Sequence, residues 1–147
     1  QFYTPSKRAT ALQSYASGKG YDVLSEIKPG DGYWVNLKSQ PALGTQSGNG
    51  FVLHAANLVS GWNLVATGNN STPSALDANL KASLPGTGVN TVWAWDAAAA
   101  KWYFYAPGLE AQGVTALSDY AVSKGYLDFA SGGRTLQNGS GFWVNRP

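Results

Sequence analysis

The chain has 147 residues, 44% of them hydrophobic, 13% aromatic and only 12% charged, with a net charge of +2. That length favours one domain or two small ones, and the apolar share excludes a disordered tail. The ten basic residues are scattered, which excludes the electrostatic footprint that nucleic acid requires. Zero cysteines exclude disulfides, thiolate zinc sites, iron–sulfur clusters and thiol catalysis, and no apolar run reaches the roughly twenty residues of a membrane span. Eighteen glycines with 6 Trp, 8 Tyr and 5 Phe predict a sheet protein with tight turns.

In chain order, the first element is a short helix over about Ala9–Ser17, with Leu12, Tyr15 and Ala16 at helical spacing and Gly20 to end it. A strand follows at Tyr33–Leu37, after the turn Pro29-Gly30-Asp31-Gly32. Gln40–Gly50 is rich in turn formers and reads as a joint. Phe51–His54 and Trp62–Thr67 read as strands. Pro73–Leu84 reads as a helix capped by Ser71 or Thr72, with Pro73 at its first position and Leu76, Leu80 and Leu84 on one face. Val92–Asp96 and Trp102–Ala106 flank Ala97–Lys101 and form a hairpin. Alternation puts Trp93 and Trp95 on one face against Val92 and Ala94 on the other, and Trp102 and Phe104 against Tyr103 and Tyr105. A helix over about Val114–Ser123 and a closing strand around Phe142–Val144 complete the series. Phe142 and Val144 form an inward row, with Trp143 and Asn145 opposite.

Two of these elements are copies of each other. Thr10–Tyr21 reads TALQSYASGKGY and Thr115–Tyr126 reads TALSDYAVSKGY, identical at eight of twelve positions. Phe2-Tyr3-Thr4-Pro5 answers Phe104-Tyr105-Ala106-Pro107 upstream. Gly30-Asp31-Gly32-Tyr33-Trp34-Val35-Asn36 answers Gly139-Ser140-Gly141-Phe142-Trp143-Val144-Asn145 downstream. Only the second copy has a front half, which holds Gly61–Val65, the long helix and Val92–Asp96. The fold class is therefore mainly β with short packed helices (α+β), in two pseudo-repeated units. Residues 1–39 are the back half of a first repeat, 40–50 the joint and 51–147 a complete second repeat. A half repeat needs a partner for its sheet. Either residues ahead of Gln1 or another chain complete it, or it packs onto the whole repeat and closes a single domain. The absence of Met and the Gln at position 1 read as a processed product or an excerpt.

Catalytic chemistry finds little footing. Asp22, Glu26, Asp31, Asp119 and Asp128 read as turn carboxylates, because Asp31 faces Ser140 in the second copy and Glu26 has no counterpart. His54, the only histidine, reads as a structural residue in an apolar strand, with no G-x-S-x-G elbow for a triad. Ser17-Gly18-Lys19-Gly20 lacks the first glycine and the hydroxyl residue of a phosphate loop. Asp31 alone cannot supply the six to eight oxygens of a calcium site, so no metal and no cofactor is expected. Asn69, Asn70 and Asn138 stand in N-x-S/T sequons, a short pattern that carries little weight. The aromatics remain. Trp34, Trp62, Trp102 and Trp143 read as core, leaving Trp93, Trp95, Tyr103 and Tyr105 as the candidate ligand-binding platform, on which a sugar ring or a protein partner could stack.

The order Gly61–Val65, helix, Val92–Asp96, Trp102–Gly108 and the closing Gly139–Asn145 resembles a tryptophan-rich repeat of bacterial exported and surface-anchored proteins. The resemblance covers the second copy fully and the back half of the first, through Gly30–Asn36. It implies a non-catalytic extracellular structural or adhesive module, a building block of a surface protein, surface layer or filament. It carries no catalytic residues. Its implied partners are copies of itself or neighbouring repeats of a larger chain, at the cell surface and without membrane insertion. The alternative expectation is a carbohydrate-binding module of a secreted multidomain protein, with a glycan as partner.

Overall fold

The computed structural model describes residues 1–36, 39 and 50–147. In chain order the elements are α1 (Ala9–Gly18), a 3-10 turn (Ala55–Asn57), β1 (Gly61–Ala66), α2 (Pro73–Ser83), β2 (Thr91–Asp96), β3 (Lys101–Tyr105), α3 (Pro107–Glu110), α4 (Ala116–Ser123), β4 (Leu127–Asp128) and β5 (Gly141–Arg146). This is an α+β fold with one open mixed sheet of five strands, ordered β1-β5-β2-β3-β4. All neighbours are antiparallel except β3 and β4, which run parallel and are joined through α3 and α4. The last strand thus inserts between the first two, and its Phe142 and Val144 are completely buried.

Local chemistry explains the elements. Thr72 caps α2, its Oγ1 accepting from the Ala75 N–H at 3.1 Å, and Pro73 fills the first helical position. Leu76 and Leu80 bury one stripe of α2, while Leu84 lies beyond the helix end and is exposed. Asp77 shares that stripe. Its Oδ1 accepts the Val89 N–H at 2.8 Å and its Oδ2 pairs with Lys81, tying α2 to the segment that enters β2. The core lies between α2 and one face of the sheet: Val65, Val92, Ala94, Tyr103, Tyr105, Phe142 and Val144, with Leu53, Leu58, Val89, Phe129 and Leu136. A smaller cluster on the opposite face joins Phe104, Ala106 and Ala121 to Trp93, Leu109 and Tyr126.

Two expected strands do not form ladders. Phe51–His54 is extended but unpaired as a strand, with the Gly68 N–H donating to the Phe51 carbonyl at 2.7 Å. His54 leads into the 3-10 turn, where its N–H donates to Asn57 Oδ1 at 2.9 Å and its carbonyl accepts the Asn57 N–H. The turn takes the backbone groups a strand would need, and His54 is exposed rather than set in an apolar strand. The expected strand at Tyr33–Leu37 also fails. Gly30–Gly32 alone meets the free edge of β1: Ala66 donates to the Gly30 carbonyl at 2.8 Å and Gly32 to the Leu64 carbonyl at 3.1 Å. Gly32 lies so close to β1 that a Cβ there would be 2.9 Å from the Val65 backbone. Beyond it the chain leaves the edge and sends Trp34 across to Trp102. Leu37 and most of the joint, residues 40–49, lie outside the described residues. The turn Pro107–Glu110 is a helix the sequence pattern does not announce.

The N-terminal segment repeats several local connections of residues 104–128, without a counterpart of α3. Phe2 bridges Val23 in parallel, as Phe104 pairs with Asp128. α1 ends at Gly20 with φ +74°, α4 at Gly125 with φ +75°, and each glycine is followed by a tyrosine whose N–H donates to the buried Ala16 or Ala121 carbonyl at 2.9 Å. The Phe2 and Tyr15 rings are 5.3 Å apart, as are Phe104 and Tyr120.

Candidate functional site: a tryptophan face

The sheet face away from the main core carries tryptophans on four strands. Trp62 (β1), Trp143 (β5), Trp93 and Trp95 (β2) and Trp102 (β3) occupy alternate positions, and register brings them together. Trp93 stands directly opposite Trp143 on one side, and Trp95 opposite Trp102 on the other. The rings meet edge to face: Trp95–Trp102 at 5.1 Å, Trp93–Trp102 at 6.4 Å and Trp62–Trp143 at 6.3 Å. Trp34 joins from outside the sheet, 5.9 Å from Trp102. Trp34, Trp93, Trp95, Trp102 and Trp143 line an open groove of about 200 Å³ with Arg134 at its wall, and Trp62 lies outside it against Trp143. Trp34 and Trp62 are 58% and 57% exposed, and the other four tryptophans are half-buried.

The polar fittings are few and fixed. Trp93 Nε1 donates to Thr91 Oγ1 at 3.0 Å. Arg134 Nη1 pairs with Asp96 at 3.3 Å, Nη2 donates to the Trp95 carbonyl, and the guanidinium lies 4.8 Å from the Tyr103 ring centre. Tyr33 Oη donates to Asp31 at 3.2 Å and accepts the Lys28 N–H, and partial burial with the Asp31 charge raises its hydroxyl pKa.

The structure divides the four candidate residues. Trp93 and Trp95 line the groove. Tyr103 and Tyr105, 9% and 3% exposed, point to the opposite face and belong to the core. The reason is the pleat: in an antiparallel hairpin with Trp95 opposite Trp102, the neighbours of Trp93 and Trp95 on their own face are Trp102 and Phe104. Tyr105 Oη donates to Glu110 Oε2 at 2.7 Å, and Ser74 Oγ donates to the same oxygen at 3.0 Å. Burial first, and then the bond to Glu110, raise the Tyr105 pKa well above the ordinary tyrosine value. Trp34, Trp62, Trp102 and Trp143, expected in the core, are all on the open face. Applying hairpin register to the alternation already visible at Trp102 would have found one of them. Trp34 had no such signal, because it arrives by leaving a strand.

The carboxylates do not converge. Asp22, Glu26, Asp31 and Asp119 are exposed, and Asp128 accepts the Ala130 and Ser131 N–H groups of its own turn. Among the described residues no three His, Cys, Asp or Glu side chains are grouped to hold a metal ion, and no helix is long and apolar enough to cross a membrane. A second depression of about 240 Å³ lies beside Ser74, Tyr105 and Glu110, whose polar groups bond one another. No family model matches the chain, and neither the curated proteins nor the solved structures contained one similar to it.

Proposed function

We propose that the chain is a non-catalytic structural or adhesive module of a bacterial surface protein, one and a half copies of a repeat that works in series with others. The observation that carries this reading is the matched pair of half-units. Residues 2–24 and 104–128 share a parallel strand bridge, a helix with a buried alanine, a left-handed glycine stop and a phenylalanine–tyrosine contact at 5.3 Å. Residues 104–128 are finished by β1, β2 and β5, whereas residues 2–24 stand at the end of the fold with few buried side chains. Such a unit gains its core from a neighbour, which is the physical logic of repeat arrays.

The test is a chain in which a second copy of residues 51–100 is joined ahead of Gln1. The added segment folds onto residues 1–36, the urea m-value rises with the extra surface buried, and the amides of residues 2–24 become protected. An added segment that stays protease-sensitive at unchanged m-value contradicts the reading.

A second reading, glycan binding, draws on the groove. Trp34, Trp93, Trp95, Trp102 and Trp143 offer an apolar floor with Arg134 beside it. Titration with soluble polysaccharides should shift the tryptophan emission, and Trp34→Ala should weaken the response about tenfold, the share of one stacked aromatic ring. Emission that no glycan moves rejects this second reading.

A further inference from the structure

The repeat reading leaves one edge without a strand, and the second unit displays what belongs there. Phe2 commits both backbone groups to one side: its N–H donates to the Asp22 carbonyl at 2.7 Å and its carbonyl accepts the Leu24 N–H at 2.9 Å. By strand alternation the N–H and C=O of Tyr3 face the other side. Among the described residues nothing pairs with that edge. In β3 the same edge carries β2, with Val92 opposite Tyr105 and Trp93 opposite Phe104. The consequence for equivalent tyrosines is large: Tyr105 is 3% exposed and Tyr3 57%. The rings tell the same story. Trp93 lies 4.6 Å from Phe104 and 4.9 Å from Tyr126, filling the angle between them. Phe2 and Tyr21 hold the equivalent places 6.3 Å apart, with no third ring between them among the described residues and Tyr21 53% exposed.

We propose that the Gln1–Thr4 edge is a docking site for an extended strand bearing tryptophan at alternate positions, the front-half strand of a neighbouring repeat, with one tryptophan seated against Phe2 and Tyr21. The inference rests on the repeat reading and names its partner. A second copy of these 147 residues does not supply the strand. Each copy holds two back halves but one front half, so any assembly of identical copies stays short of front halves. Lending β2 would also open the donor's own sheet, where β2 is paired on both edges by β5 and β3. The incoming strand adds main-chain hydrogen bonds at Tyr3 and seats its tryptophan on the aromatic pair, the two components of β-strand addition.

The experiment titrates the 147-residue chain with a peptide of residues 89–97 (VNTVWAWDA) and follows backbone amides by NMR. The expected result is shift changes concentrated at residues 1–4, 15 and 21, with exchange of the Tyr3 amide slowed at least tenfold. The W93A peptide binds at least tenfold more weakly, and Phe2→Ala in the chain has the same effect, whereas Val59→Ser leaves binding unchanged. Shifts confined to the tryptophan groove, or none at millimolar peptide, overturn the proposal. So does a chain that self-associates with its Tyr3 amide already protected, because a second copy would then fill the edge. The fused chain separates this failure from failure of the repeat reading. If its added segment folds onto residues 1–36 but Trp→Ala at the position equivalent to Trp93 leaves Phe2 and Tyr21 unaffected, the repeat stands and the docking contact falls.

Discussion

Tyr3 and Tyr105 each follow a phenylalanine and lie upstream of one of the matching helices α1 and α4, yet one is open to solvent and the other is buried. Part of the difference is local, since α3 brings Glu110 to the Tyr105 hydroxyl and no helix or carboxylate follows Tyr3 in that way. The rest comes from the strands laid beside them. Around Phe104 the sheet supplies β2, and the buried set extends through Tyr105, Ala106 and Phe129. Around Phe2 there is a helix and a single bridge, and only Leu12 and Ala16 are buried in residues 1–36. Local sequence therefore sets the helix, its stop and the aromatic contact, and the neighbouring strands set the stability.

The comparison can be broken first at the phenylalanines. Phe104→Ala should cost about 3–5 kcal/mol, the usual range for emptying a packed aromatic site, while half-buried Phe2→Ala should cost about 1 kcal/mol. Urea denaturation of both variants measures this, and equal losses would mean that the N-terminal segment shares the global core. Overpacking is the next probe. Ala16 and Ala121 are both fully buried, yet Ala121→Leu should destabilise by about 1–3 kcal/mol and Ala16→Leu by less, since α1 can shift outward into solvent.

Tyr105 sharpens the contrast through pH. Its folded pKa is raised above the ordinary 10.0, so the folded state holds the proton more tightly than the unfolded chain. That contribution is fully present below pH 10 and is lost as pH rises through the folded value. Thermal melts should therefore fall above about pH 10, and Tyr105→Phe should flatten that fall while costing about 1 kcal/mol at neutral pH for the lost bond to Glu110. Tyr3→Phe should leave the neutral-pH stability almost unmoved, because Tyr3 is 57% exposed. The smallest effect belongs to the helix stops. Gly125→Ala should cost about 1 kcal/mol of global stability because of its positive φ. Gly20→Ala should fray α1, seen by NMR, and leave the urea midpoint almost unmoved.

Much of this fold is legible in the sequence, for reasons that can be named. α2 announces itself through Thr72, Pro73 and the leucines at 76 and 80, since caps and stripes act within one turn. The β2–β3 hairpin is readable because two aromatic-rich runs, Val92–Asp96 and Trp102–Tyr105, flank the short stretch Ala97–Lys101. The failures are those where a distant group competes. His54 loses its strand to a turn closed by Asn57, and Tyr33–Asn36 leave the β1 edge where Gly32 presses on Val65. The candidate platform was half legible for the same reason: Trp93 and Trp95 share a face by local geometry, but their neighbours Trp143 and Trp34 arrive from 50 and 59 residues away.

The most direct measurement is native-state hydrogen exchange at two amides, Tyr21 and Tyr126. Each donates at 2.9 Å to a buried alanine carbonyl in an equivalent helix stop. With the helix stop matched, what distinguishes them is the packing around it: the sheet and α3 at Tyr126, neither of them at Tyr21. The account predicts that Tyr126 exchanges through global unfolding while Tyr21 exchanges through local opening, at least a hundredfold faster. It also predicts that a front half joined ahead of Gln1 brings Tyr21 to the level of Tyr126. Equal protection of the two amides in the 147-residue chain would contradict the claim that residues 2–24 are an unfinished copy.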